Sequence, residues 1–315
     1  MFAHLFGPVP SRRLGMSLGV DLVPRKVCSL DCVYCEVGPT TLLTVDRREY
    51  VRFEWVAAEL DRYFASSPDP DFVTFSGSGE PTLNTCMGRL VAHIKSARPS
   101  MPVAILTNGT TLCDPAVRQD LLGADVVLPS LDAATQDVFL KINRPHASLR
   151  IEDYIAGLAA FRREYAGEIR LEIFVLPGYN DSAAELGAIR RAVLEIRPDR
   201  VHLNTLDRPG AVEGLRRATD EELRAVLDAL DLDNAEIVAA AQARTGLAGY
   251  RTDIETAILE TVSRRPCTVQ DMSAILGLHV NEINKYLEAL EKKGAISPVR
   301  RERGVFYERA GKGGR

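Results

Sequence analysis

The chain has 315 residues, with 39 Lys plus Arg against 43 Asp plus Glu and a formal net charge of -4. Hydrophobic residues at 46% and charged residues at 26% match an ordinary folded chain and exclude disorder, collagen-like repeats and coiled coil. The mild acidity excludes wholesale coating of a polyanion but leaves room for a local basic patch.

In chain order, MFAHLFGPVPSRRLG lacks a basic start followed by an apolar block, and Pro8 and Pro10 interrupt it, so no signal peptide is expected. No later run reaches the roughly 18 apolar residues of a membrane span, which predicts a cytoplasmic protein without membrane contact. Short runs rich in Val, Ile, Leu and Phe then alternate with helix-length amphipathic segments, the pattern of a parallel sheet built from βα units. Strands are predicted at Met16 to Val23, Asp71 to Phe75, Val103 to Leu106, Asp125 to Pro129, Ile169 to Leu176 and Arg200 to Leu206. Helices are predicted at Phe53 to Ser66, Leu83 to Ala97, Asp114 to Leu122, Ala133 to Ile142, Ile151 to Tyr165, Ser182 to Ile196 and Thr219 to Leu230. Ser182 with Glu185 and Thr219 with Glu222 read as capping boxes, in which hydroxyl and carboxylate each satisfy a free backbone N–H. Such repeats fit a partial (β/α)6 TIM-like barrel over residues 1–241, whose active site is built by the loops after the strand C-termini.

Beyond it, residues 242–251 (QARTGLAGYR, from Gln242) read as a linker, and Thr252 with Glu255 as a third capping box. Residues 252–315 then read as three helices, Asp253 to Ser263, Val269 to Leu276 and Asn281 to Lys293, followed by a β-ribbon turning near Arg303 and Gly304. That order suggests a small winged helix-turn-helix domain. Basic residues outnumber acidic ones by five from Lys285 onward, which suits phosphate binding, although a winged helix also serves peptides and proteins.

Six cysteines are too sparse for a disulfide scaffold, and three of them crowd into Cys28-Ser-Leu-Asp-Cys32-Val-Tyr-Cys35 just after the first predicted strand. Close spacing lets three thiolates face one centre, and soft sulfur donors select iron-sulfur clusters or zinc. Structural zinc wants four protein ligands, and no second cysteine pair supplies the fourth. Cys28, Cys32, Tyr34 and Cys35 match the loop of the radical S-adenosylmethionine (SAM) superfamily, which the chain resembles from about Gly7 to Ala241. The resemblance implies a [4Fe-4S] cluster on the three thiolates, with SAM chelating the open iron. It also implies an electron donor such as flavodoxin or ferredoxin.

Further loops carry the same resemblance. Ser76-Gly77-Ser78-Gly79-Glu80-Pro81 is similar to the family's glycine-rich loop, which meets the cofactor's amino group with its backbone; on its own it also reads as a tight βα turn. The resemblance assigns Gly77, Ser78, Gly79, Glu80 and Tyr34 to the cofactor, and adds Asn108 and Ser130, whose local alternative is helix capping or a turn. Leu176-Pro177-Gly178-Tyr179-Asn180-Asp181 resembles an element near the adenine. Gly7 to Gly15, together with GSGEPTL, looks closest to the group related to wyosine-base tRNA synthases. The chain departs from that group in having no cysteine ahead of Cys28 for a second cluster, which puts the wyosine reaction itself in question.

Arg12 and Arg13 are expected near the barrel mouth as a grip for a substrate phosphate or carboxylate, or else as a solvated pair. Glu172, His202 and Asn204 are expected to face the barrel interior, toward substrate. The reading that follows is a radical SAM enzyme acting on an RNA nucleoside or a peptide. Two alternatives remain at this stage, a redox-sensing nucleic-acid-binding regulator and a zinc-stabilised RNA-binding protein.

Overall fold

The structure, a computed structural model, describes residues 2–11, 13–207, 210–238, 254–278, 280–301 and 304–310. Arg12, the linker 242–251, Thr252 of the third capping box and Arg303 of the ribbon turn lie outside them.

The hairpin β1 (Leu5–Ser11) and β2 (Gly15–Val20) opens the chain, and the small parallel pair β3 (Val27–Cys28) and β4 (Leu42–Leu43) follows. Then come α1 (Phe53–Ser66), β5 (Phe72–Phe75), α2 (Met87–Ala97), β6 (Val103–Thr107), α3 (Pro115–Leu121), β7 (Val126–Pro129), α4 (Gln136–Ile142) and α5 (Ile151–Glu164). The first unit continues with β8 (Glu168–Val175), α6 (Ala183–Ile196), β9 (Arg200–Thr205), α7 (Asp220–Leu230) and β10 (Ala235–Ile237). One sheet runs β1-β2-β5-β6-β7-β8-β9-β10, parallel from β2 onward with β1 antiparallel at its edge. The mixed α/β architecture with a parallel sheet is thus the one expected. The C-termini of its parallel strands, β2 and β5 to β10, all reach the same end.

Alternation along the strands sorts the two faces. Val73, Phe75, Val103, Ile105, Val127, Ile169, Leu171 and Ile173 join Val56, Leu60, Leu90, Ile94 and Phe161 of the helices in the main core. On the other face, Leu14 packs with Ala104, Val126, Leu128, Phe72 and Leu106, so the β1–β2 turn plugs the inner face of β5 to β7. That turn lies at the N-terminal ends of the parallel strands, because Ser17 of β2 pairs with Phe72, the first residue of β5.

A second core, of Ile258, Val262, Met272, Ile283, Leu287, Leu290 and Ile296 among others, holds α8 (Ile254–Arg264), α9 (Val269–Leu276) and α10 (Val280–Lys292) together with the sheet β11-β13-β12. Its strands are β11 (Cys267–Thr268), β12 (Ile296–Arg301) and β13 (Gly304–Arg309). The end of α8 touches the first unit. Arg264 Nη1 lies 3.2 Å from Asp21 Oδ2 with its guanidinium 3.8 Å over the Phe6 ring, and Arg25 Nη1 donates to Ser263 O at 3.3 Å. Among the described residues no helix is long and apolar enough to cross a membrane.

Candidate active site

The chain leaves β2 and reaches Cys28 on β3, whose carbonyl accepts from Thr44 N at 2.9 Å. Asn143 O and Ile142 O accept from Asp31 N and Val33 N, each at 3.0 Å, so the loop is clamped against the end of α4. Each of the three sulfurs then faces a side-chain N–H from a different part of the chain. Lys26 Nζ donates to Cys35 Sγ at 3.0 Å, Asn143 Nδ2 to Cys32 Sγ at 3.4 Å and Asn108 Nδ2 to Cys28 Sγ at 3.6 Å.

All three cysteines are free, and their thiols stand for the thiolates a metal would bind. Burial pushes Cys28 up to about 11 against the opposing pull of Lys26, and it also raises Cys32, to which the Asp132 carboxylate adds. Protons therefore leave Cys28 and Cys32 readily only when a metal replaces them. Among the described residues no three His, Cys, Asp or Glu side chains converge on a point that could hold one ion. A cubane seats its thiolates on separate irons, and three cysteine sulfurs each facing a side-chain N–H donor fit such a cluster.

Tyr34 forms one wall beside this loop. Its ring stacks on Phe174 at 3.9 Å and 10°, and its hydroxyl donates to Asp132 Oδ2. Asp132 also accepts from Asn143 Nδ2 at 2.8 Å and from Phe174 N at 2.9 Å. Burial raises the pKa of both Tyr34 and Asp132.

The glycine loop is tied to the end of β2 by Ser76 N to Val20 O at 3.1 Å, and to the strand that leads into the cysteines by Glu80 N to Val27 O at 3.0 Å. Gly77 has φ 140°, and a Cβ there would come within 2.3 Å of the Asp21 carboxylate; one on Gly79 would sit 1.9 Å from Val27 O. Both positions therefore demand glycine. Ser78 donates from N and Oγ to Asp21 Oδ2 at 3.1 and 2.7 Å. The Glu80 carboxylate points inward and accepts from Thr82 N, Thr82 Oγ1, Thr107 Oγ1 and Asn108 N. Its side chain is thus occupied, leaving the backbone of this loop as the part that can meet a ligand. Asn108 donates to Ser29 Oγ at 2.8 Å, and Tyr154 OH donates to the carbonyls of Asn108 and Ser130.

The cysteines, Tyr34, Gly77 to Glu80 and Asn108 are thus brought together, and Ser130 joins them through Tyr154. The expected substrate residues lie elsewhere. Arg13 is carried by the β1–β2 turn at the opposite strand ends, and its guanidinium reaches along the inner face to pair with Glu172, whose backbone bridges to Ser130. Gly7 to Gly15 folds back here as part of the edge hairpin. Glu172 and His202 are paired across β8 and β9 on the inner face, as alternation requires. His202 Nε2 lies 3.3 Å from Glu236 Oε1, and burial lowers the His202 pKa, with Arg13, Arg170 and Arg200 adding to that and Glu236 opposing. Asn204 lines a cavity of about 310 Å³ at the ends of β9 and β10, with Asp207, Arg217, Asp220 and Arg224.

Sequence reasoning missed Lys26, Asn143, Asp21 and Tyr154. Lys26 was findable as a cation two residues ahead of Cys28. Asn143 reaches Cys32 from 111 residues away, and nothing local marks it.

A family model described as the radical SAM superfamily matches residues 22–186. The chain is 34% identical over 224 residues to UPF0026 protein MJ1312 of Methanocaldococcus jannaschii, covering 70% of this chain and 69% of that protein. It is also 34% identical over 294 residues to a Brachyspira hyodysenteriae protein named GTPase Obg, covering 93% of this chain but only 43% of that one. The fold is similar to the crystal structure of a radical SAM methyltransferase from Sphaerobacter thermophilus, with a TM-score of 0.55 at 18% identity over 70% of this chain and 66% of that one.

Proposed function

The chain belongs to the radical SAM superfamily and is an enzyme whose cofactors are a [4Fe-4S] cluster and S-adenosylmethionine; from that premise we propose how its own residues divide the work. Cys28, Cys32 and Cys35 hold the cluster, and Gly77 to Glu80, Asn108 and Ser130 hold SAM. The observation that carries this reading is the ring of donors on the three sulfurs, Lys26, Asn108 and Asn143, drawn from three separate loops at one end of the sheet. Held by Cys28, Cys32 and Cys35, the cluster would supply the electron for reductive cleavage of a carbon-sulfur bond of SAM, the chemistry by which a 5'-deoxyadenosyl radical would be made available to take a hydrogen atom from the substrate.

The protein orients these groups rather than reacting itself. Asp21 fixes Ser78, and Glu80 ties the glycine loop to Asn108, so the backbone facing SAM is set before SAM arrives. The stacked Tyr34 and Phe174 rings keep one flank of the cysteine loop dry. On the inner face, Arg13, Glu172 and His202 suit a polar substrate, with Asn204 contributing from the neighbouring cavity. We assign that substrate to the RNA nucleosides or peptides. The C-terminal unit presents it as a winged helix, whose ribbon carries the exposed Arg300, Arg301 and Arg309. The kinship with wyosine-base tRNA synthases belongs to the same proposal and rests on Gly7 to Gly15. A flavodoxin or ferredoxin is its proposed reductant. A regulator without turnover has no observation in its favour.

Anaerobically reconstituted protein given dithionite and SAM is expected to release 5'-deoxyadenosine, measured by chromatography. An intact, reducible cluster that yields none would remove the proposal.

A further inference from the structure

Of the three donors on the cysteine sulfurs, one differs in kind. Asn108 and Asn143 offer neutral amides at 3.6 and 3.4 Å, whereas Lys26 brings an ammonium to 3.0 Å from Cys35 Sγ. Charge-assisted hydrogen bonds are shorter and about twice as strong as neutral ones. Lys26 is only 4% exposed, and among the described residues no Asp or Glu stands within ion-pair distance of its Nζ. A buried cation needs a counter-charge, and the group in contact with Nζ that would carry one on binding a cluster is the Cys35 sulfur. Its backbone is fixed as well, with Lys26 N donating to Thr41 Oγ1 at 3.1 Å and Lys26 O accepting from Thr41 N at 3.1 Å. The ammonium is therefore held against the cysteine loop by the β3–β4 pair and does not wander in from solvent.

We propose that Lys26 is a positioning residue for cluster reduction: its fixed positive charge beside Cys35 favours the reduced cluster over the oxidised one and so sets how easily the first electron enters. This rests on the reading of the three cysteines as cluster ligands. The step is a one-electron transfer from a low-potential one-electron donor to the cluster, taking it from the 2+ to the 1+ core. No bond forms or breaks and no proton moves, because Lys26 keeps its proton and donates to Cys35 in both states. One negative charge is added within reach of the ammonium, and a nearby cation in a poorly solvated site stabilises that product. The two asparagines contribute dipoles to the same end, without a net charge.

The test is a potentiometric titration followed by EPR, on full-length protein reconstituted anaerobically without SAM, comparing wild type with Lys26→Met and Lys26→Arg. At the wild-type midpoint, Lys26→Met is expected to lower the ratio of reduced to oxidised cluster about tenfold, a 59 mV shift for a one-electron couple, while Lys26→Arg recovers most of it. A ratio within about twofold of wild type in Lys26→Met, or equal shifts in both variants, overturns the proposal. Pulsed EPR of reduced wild-type protein labelled with 15N at lysine Nζ is a check that needs no variant to fold. A 15N coupling is expected, and its absence overturns the assignment. Failure of wild-type protein to assemble any [4Fe-4S] cluster is distinct, because it defeats the ligand reading itself.

Discussion

Four donors meet the Glu80 carboxylate, and burial still raises its pKa above the usual carboxylate range, because two backbone N–H groups and two hydroxyls do not replace the water it loses. Glu80→Ala strands those donors in the interior, and leaving a buried polar group unsatisfied costs about 1–3 kcal/mol. A net loss of about 3 kcal/mol is expected, measured by urea unfolding of the cluster-free protein. The pH dependence has a definite sign. A folded-state pKa above the unfolded value of about 4.3 means that the native state binds this proton more tightly. The contribution of Glu80 is therefore complete below about pH 4.3 and declines as pH rises through the folded pKa. The gap between wild type and Glu80→Ala should narrow from acidic to neutral pH, and a widening gap would contradict the assignment. At this scale the cysteine spacing and the demand for glycine at 77 and 79 were legible, because both are local constraints on the backbone. The inward turn of Glu80 was not, since it depends on Thr107 and Asn108 from the next strand.

Elements show the same division between local and distant causes. Thr219 with Glu222 forms the expected reciprocal box at the start of α7, and an unanticipated one, Thr268 with Asp271, opens α9. Ser182 is half of one. Its hydroxyl accepts from Glu185 N at 3.3 Å, but the Glu185 carboxylate turns away to accept from Ala134 N, Thr135 N and Thr135 Oγ1 ahead of α4. Glu185 is buried at 2% exposure and staples two loops, whereas Glu222 is solvated. Identical motifs thus carry different energies. Glu185→Ala is expected to cost about 2–3 kcal/mol, and Glu222→Ala clearly less, in paired denaturation curves. Equal losses would show that the capping role alone matters. The strand β1 escaped the sequence reading because Pro8 and Pro10 look like breakers. An edge strand tolerates them, since its outer N–H groups need no partner, and the register slips between Phe6 and Val9 in passing them. The predicted helix from Leu83 begins instead at Met87, after a 3-10 turn at Pro81–Leu83 held by Glu80.

In the whole molecule, one arginine joins the C-terminal unit to the cofactor loop. Arg264 ends α8, stacks on Phe6 of the edge strand β1 and pairs with Asp21, which in turn holds Ser78. Arg265 lies 3.7 Å from Glu36, one residue beyond Cys35. The unit with its own core is therefore anchored at the strand C-termini, beside the cysteines, rather than tethered only by the intervening segment. Charges placed on separate cores couple the folding of both when they are partly desolvated. Arg264 is a quarter exposed as a side chain and Asp21 half as much, so screening trims the effect below that of a fully buried pair. Arg264→Ala removes the ion pair and the cation-π contact together, worth about 1–2 kcal/mol of coupling. Calorimetry of the variant is expected to show the C-terminal unit unfolding earlier, as a transition separated from that of the sheet. Because Asp21 loses one of its partners, the Ser76 to Glu80 loop should also exchange its amide protons faster, measured by mass spectrometry. Unchanged exchange in that loop alongside an altered calorimetric profile would mean that Arg264 holds the two units together without reaching the cofactor loop.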